Sequence, residues 1–241
     1  MDGNTRHLGS GAGRPTRHEA WGPLRRPTDG RAADALVVLL HGLGADGADL
    51  VGLAPDLAPA VPGAAFLAPD APGAYEGAPF GRQWFPLSDR DPRAVAAGVA
   101  AAAPGLDAWL DARLAALGLP GSRLAILGFS QGAMVALHVG LRRAVPPAAV
   151  LAFSGAMPTA AALAAEAARP LPPVLLVHGE ADEVVPAWAS RAAESALRAL
   201  GVPVESLYLP GLGHGIEGRG LAAASALLRR ALGPGGASPG A

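Results

Sequence analysis

Three residues in this sequence are of the types that together make a serine reactive. Ser130 stands between glycines in GFSQG (residues 128–132), Asp182 lies in LLVHGEADEVVP and His214 lies in LYLPGLGHGI. A serine hydroxyl is a weak nucleophile until a base removes its proton, and a histidine base needs a carboxylate to hold its tautomer and orientation. Such a set carries out acyl transfer through a covalent intermediate. The pentapeptide alone is weak evidence: in a chain of 241 residues with 33 glycines, about 0.2 chance matches to Gly-x-Ser-x-Gly are expected. What gives the three residues weight is where each one falls.

Each follows a short apolar run. Six such runs are legible: ALVVLLHG (35–42), AAFLAPDAP (64–72), RLAILGFS (123–130), AAVLAFSG (148–155), PVLLVHGEAD (173–182) and VESLYLPG (204–211). Most are apolar throughout rather than alternating, which is the pattern of strands covered on both faces. Between them lie helical stretches. One begins at Asp91-Pro92, an N-cap residue with proline at the first helical position, and is expected to kink or restart at Pro104-Gly105. Others cover 131–143, about 159–168, 187–201 and about 216–232. Strand then helix, repeated, predicts an α/β fold: a three-layer sandwich with a mostly parallel sheet and helices on both faces. Only residues 156–172 separate two late strands, so no large cap domain is expected there.

In an open parallel sheet, ligand chemistry sits beyond the carboxyl ends of the strands. Ser130 meets that condition, since its pentapeptide follows RLAIL and opens the helix QGAMVALHVGLRR. On so sharp a turn, Gly128 and Gly132 leave room that a Cβ would fill. Gln131 then opens the helix, where an unpaired backbone N–H and the helix dipole favour negative charge. The glycine-rich HGLGADG (41–47), after the first strong strand, can aim a second backbone N–H, that of Leu43, at the same oxygen. The chain order Ser, Asp, His is the one α/β-hydrolases use.

Composition narrows the rest. A net charge of −1 leaves no basic surface for nucleic acid. The absence of cysteine excludes disulfides, thiolate metal sites and a cysteine nucleophile. The first twenty residues lack the apolar stretch of a signal peptide, and the Ala/Val-rich run 94–103 is far short of the roughly 20 residues that span a bilayer. A cytoplasmic protein without stable membrane insertion is expected. Residues 31–232 read as one domain. The Gly/Arg/Pro-rich residues 1–30 and the closing 233–241 read as disordered tails.

Five segments, VVLLHGLGADGADL, RQWFPL, GFSQGAMVALHVGLRR, HGEADEVVP and GLGHGI, together resemble the phospholipase/carboxylesterase family of α/β-hydrolases, which includes acyl-protein thioesterases. The likeness runs from residue 35 to 231, and RQWFPL resembles the bacterial branch. It implies Ser130 as nucleophile, His214 as base, Asp182 as its partner, and the backbone N–H groups of Leu43 and Gln131 as oxyanion donors. It also implies a substrate wall at Met157 and Val184. The activity implied is hydrolysis of carboxylic esters with short to medium acyl chains, the range extending to thioesters and lysophospholipids. No metal and no cofactor are called for. The expected partner is a small ester or thioester, with an acylated protein as a further candidate and a monomer or homodimer as the assembly. A non-catalytic binding homologue and a serine peptidase of the same fold are the alternatives.

Other residues carry competing readings. Glu180 competes with Asp182 as the acid, and the resemblance favours Asp182. His41 and His178 each precede a glycine at a strand end, where an imidazole serves loop backbone; both are expected to be structural. His138, eight residues along the helix from Ser130, is expected to pack or face solvent. Trp84 and Phe85 lie in the segment 72–91, on the active side of the sheet, and are read either as core aromatics or as a cover over the substrate site, with Trp84 taken as a substrate-binding residue.

Overall fold

The computed structural model of the chain describes residues 22–233 apart from 79, 89, 90, 168 and 169. The apolar run at Ala35–Leu40 forms strand β2, buried along its whole length, because side chains on both of its faces meet helices. Strands β3 (Ala64–Leu67), β6 (Leu124–Phe129), β7 (Ala149–Phe153) and β8 (Val174–Gly179) are buried likewise, apart from the half-buried last residues of β3 and β6. The last strand, β9 (Val204–Leu209), is only half covered. A short strand β1 (Leu24–Arg25) completes one sheet with the order β1-β3-β2-β6-β7-β8-β9, in which only the β1–β3 pair is antiparallel. A separate hairpin pairs β4 (Gly73–Ala74) with β5 (Arg82–Gln83).

Two cores lie on the two faces of this sheet, separated by the period-two alternation of strand side chains. Leu36, Val38 and Leu40 of β2 face helices α3 (Pro92–Leu117), α4 (Gln131–Gly140), α5 (Ala160–Glu166) and α6 (Trp188–Ala199). Ala35, Val37 and Leu39 face α1 (Gly47–Val51), α2 (Ala54–Leu57) and α7 (Gly218–Leu232). This is the three-layer α/β sandwich expected from the sequence. Among the described residues, the stretch between β7 and β8 holds one short helix, α5.

Two expectations need correction. The domain does not begin at residue 31: Leu24 and Arg25 pair with Leu67 and Phe66, so part of the expected N-terminal tail is an edge strand. A two-residue strand has no periodicity to read and exists only because β3 offers it a partner. Residues 1–21 and 234–241, most of the two expected tails, lie outside the described residues. Helix α3 does not restart at Pro104-Gly105 but runs as one helix of 26 residues. Its buried stripe, from Val99 through Leu106 and Leu110 to Leu114, packs on the sheet side, whereas Pro104 and Gly105 face solvent. Packing along that stripe overrides a local propensity against helix of about 3 kcal/mol at the proline.

A glycine on the exposed face of α3 still carries a conformational cost. A Cβ added at Gly105 would meet nothing within 4 Å. Gly105→Ala is expected to stabilise the fold by about 0.5–1 kcal/mol, raising Tm by about 1–4 °C. Thermal denaturation followed by circular dichroism checks this; an unchanged or lower Tm contradicts it.

Candidate active site

Ser130 sits on the turn between β6 and α4 with φ 53° and ψ −117°, a left-handed conformation that L-residues rarely adopt. The crowding that makes the flanking glycines necessary is explicit. A Cβ at Gly128 would lie 2.3 Å from the Gly132 carbonyl oxygen, and one at Gly132 would lie 2.1 Å from that of Leu40. The Ser130 N–H donates to the Phe153 carbonyl at 2.9 Å, which ties the turn to β7. A serine at a helix N-cap commonly spends its hydroxyl on an N–H of the first turn; Ser130 does not, although it caps α4. Ser130 borders a cavity of about 370 Å³ shared with Leu43, Gln131, Val184 and His214.

The acid and the histidine meet beside that cavity. His214 Nδ1 lies 2.7 Å from Asp182 Oδ2, and the Asp182 side chain is fully buried. Asp182 Oδ1 accepts from the N–H groups of Val184 and Val185, each at 2.9 Å, so the carboxylate closes the turn in which it stands. Burial alone would raise its pKa, but the hydrogen bonds from His214, Val185 and Val184 outweigh that and hold it below the usual aspartate value. An ionised Asp182 fixes the proton of His214 on Nδ1, leaving Nε2 free to accept. Gly179, at the end of β8, lets the two loops approach: a Cβ there would lie 2.2 Å from the Leu212 carbonyl oxygen, two residues before His214. The competing acid Glu180 instead pairs with Arg191 at the surface.

Leu43 and Gln131 border the cavity next to Ser130. Gln131 opens α4, where no carbonyl a turn earlier receives its N–H. Among the described residues, no acceptor for the Leu43 N–H is found. The loop that carries Leu43 is held from two directions. Gly44, at φ 81°, donates to the Arg82 carbonyl at 2.9 Å, and the Arg82 N–H donates to the Ala45 carbonyl at 2.8 Å, so β5 continues onto this loop. His41 donates from Nδ1 to the Gly42 carbonyl and accepts the Ala71 N–H at Nε2. Burial holds its pKa below the ordinary histidine value, against the opposing effects of the Gly42 carbonyl and Asp70. His41 is thus a neutral structural residue, as its position suggested. His138 is buried and bonds Thr159, and burial together with Arg142 lowers its pKa to about 4.

Trp84 does not stand where it was expected. It is 6% exposed and does not line the cavity beside Ser130. Its indole N–H donates to the His41 carbonyl at 2.9 Å, and its backbone N–H donates to the Gln131 side-chain oxygen at 2.8 Å. The Gln131 amide nitrogen in turn donates to the Phe85 carbonyl at 2.8 Å. Trp84 and Gln131 therefore brace the start of α4 against the loop that carries Leu43. The aromatic pair in RQWFPL signalled burial, but nothing in the segment said on which side of the site it would be buried. Met157 lines a second apolar cavity that shares Val95, Met134, Trp188 and Ala189 with the first, so it is one step removed from Ser130. Val184 borders the first cavity directly and is 54% exposed.

A serine turn after a central parallel strand, with acid and histidine beyond two later strands, places the chain in the α/β-hydrolase class. Comparison with known proteins narrows the class. The family model described as Phospholipase/Carboxylesterase matches residues 28–232, and the chain belongs to that family. Among solved structures, esterase PE8 is 43% identical with a TM-score of 0.84, the match covering 88% of this chain and 99% of that one. Acyl-protein thioesterase 1 of Neurospora crassa is 30% identical over 101 residues, 40% of this chain and 41% of the relative. Acyl-protein thioesterase 1 of Schizosaccharomyces pombe is 32% identical over 123 residues, 50% and 52% respectively. The alignments thus span about half the length, or less, of these two curated relatives. Among the described residues, no helix is long and apolar enough to cross a membrane.

Two outcomes follow from this geometry. Glycine tolerates the Ser130 conformation and alanine does not, so Ser130→Gly is expected to be more stable than Ser130→Ala by about 1 kcal/mol in urea denaturation; the reverse order contradicts the strain. Trp84→Phe keeps an aromatic ring but leaves the buried His41 carbonyl without its donor, and is expected to cost about 1–3 kcal/mol. A denaturation midpoint equal to the parent's would remove the brace from the account.

Proposed function

We propose that the protein is a serine hydrolase that cleaves carboxylic esters with short to medium acyl chains through an acyl-enzyme. The observation that carries this reading is the hydrogen bond from His214 to the buried Asp182 carboxylate, with His214 and Ser130 on one cavity. Ser130 Oγ attacks the substrate carbonyl while His214 Nε2 takes its proton. The oxyanion that forms is received by the backbone N–H groups of Leu43 and Gln131. As the tetrahedral intermediate collapses, His214 returns the proton to the leaving group and the acyl group stays on Ser130. Water, activated by His214, then releases the acid by the same steps in reverse.

The cavity walls support an acyl substrate. Leu87, Val95, Phe129, Met134 and Trp188 make it largely apolar, and the adjoining cavity at Met157 extends the apolar tract away from Ser130. Among the described lining residues there is no arginine, and Asp49 is an acid on the same wall. An uncharged leaving group suits this electrostatics better than the phosphodiester of a lysophospholipid. The thioesterase names of two relatives extend the proposal to thioesters, including acyl groups on a protein, in a cytoplasmic setting with a monomer or homodimer as the working form.

Reaction of the full chain with a fluorophosphonate, followed by peptide mass spectrometry, is expected to label Ser130. Ser130→Ala is expected to lose at least about 10³-fold in kcat on a panel of p-nitrophenyl esters and acyl thioesters of increasing length. Full activity of Ser130→Ala would overturn the proposal. An unlabelled Ser130 in an inactive parent would favour a binding protein of the same fold.

A further inference from the structure

His178 was expected to serve loop backbone only. It is 1% exposed, stands one residue before the end of the fully buried β8, and reaches further than that. Its Nε2 lies 2.7 Å from the Val185 carbonyl and 3.2 Å from Asp182 Oδ2, the oxygen that His214 Nδ1 also approaches. Two imidazoles therefore meet one carboxylate oxygen. On its other side, His178 Nδ1 lies 2.6 Å from Ser190 Oγ of α6, which lies 3.0 Å from the Gly155 carbonyl beyond β7.

The protons can be counted. The Val185 carbonyl and an ionised carboxylate only accept, so His178 Nε2 carries a hydrogen. Ser190 Oγ stands between His178 Nδ1 and the Gly155 carbonyl, to which it donates, and so holds the ring from the side away from Asp182. An N–H edge of the ring thus faces Asp182 and Val185. The turn 182–185 is thus closed twice, by Asp182 Oδ1 accepting the Val184 and Val185 N–H groups and by His178 donating to the Val185 carbonyl.

We infer that His178 is a positioning residue for the proposed hydrolysis: through Asp182 and Val185 it fixes the carboxylate that orients His214, and Ser190 fixes His178. This rests on the hydrolase reading of the site. His178 touches no reacting atom, so its loss acts on the alignment of the base and hence on kcat, with little effect on substrate capture. Misplacing a group by about 1 Å can cost roughly 10²-fold.

The test uses the full chain with His178→Gln, which keeps a donor for Val185, His178→Leu, which keeps bulk without a donor, and Ser190→Ala, which removes only the prop. Steady-state kinetics on a p-nitrophenyl ester are read together with the downfield proton resonance of the His214–Asp182 hydrogen bond. The expected result is kcat lowered about 100-fold by Leu, about 10-fold by Gln and a few-fold by Ser190→Ala, with KM within about twofold and the resonance shifted in the same order. Equal losses for Gln and Leu, or an unshifted resonance in all three, overturn the inference. Should His178→Leu fail to fold, His178→Gln and Ser190→Ala decide. An inactive parent overturns the hydrolase reading instead, and the resonance still reports whether His178 holds Asp182.

Discussion

Backbone crowding where β2, β6 and α4 meet governs the upper edge of this sheet. With the Leu40 carbonyl so near the first turn of α4, only a residue without a side chain can stand at position 132, and the chain must turn sharply at Ser130 to enter the helix at all. That turn lifts the serine out of the capping role its type favours and aims the open end of α4 at the cavity. The left-handed backbone at Ser130 is thus sustained by contacts among glycines and carbonyls that involve no functional side chain. The bond from Ser130 N–H to Phe153 adds a third strand to the support.

Around that point, two braces of different kinds hold the remaining parts. On one side, the Gln131 amide spans from Trp84 to Phe85, while the Trp84 indole reaches the end of β2. One residue therefore borders the cavity and gives its side chain to the support of the neighbouring loop. On the other side, Gly179 brings the acid loop against the loop of His214, and His178 with Ser190 links both to α6 and β7. The walls between are mostly hydrocarbon, which lowers the local dielectric and strengthens each polar contact inside.

The sequence made the central strands legible because they are buried on both faces, and a continuous apolar run has few other meanings when turn residues bound it. It made Ser130 legible because it directly follows such a run, and Asp182 and His214 because each stands a few residues beyond an apolar run, the one before His214 being only half covered. Leu24–Arg25 and the hairpin strands were not legible, since two-residue strands take their existence from a partner and not from their own pattern. Pro104 misled because its cost falls on a solvent-facing turn of a helix that a long apolar stripe holds down. Trp84 was misplaced, and the reach of His178 beyond loop backbone to Asp182 was missed, for a shared reason: burial is predictable from residue type, but the identity of the atom a buried N–H meets depends on tertiary geometry. For His178 the only local trace was its spacing of four residues from Asp182 across the turn in HGEAD.

The order of the parts along the chain has a consequence for the protein during its synthesis. Ser130 and its turn depend on β2, β6 and β7, all complete by residue 153, whereas His214 lies beyond β9, the last strand among the described residues. A domain folds as a unit, and chains are made at about 5–20 residues per second. For several seconds a nascent chain would carry the serine with no imidazole to deprotonate it. The proposed chemistry would switch on only when β9 docks and His214 meets Asp182, so shorter chains would be inert toward the acyl groups around them.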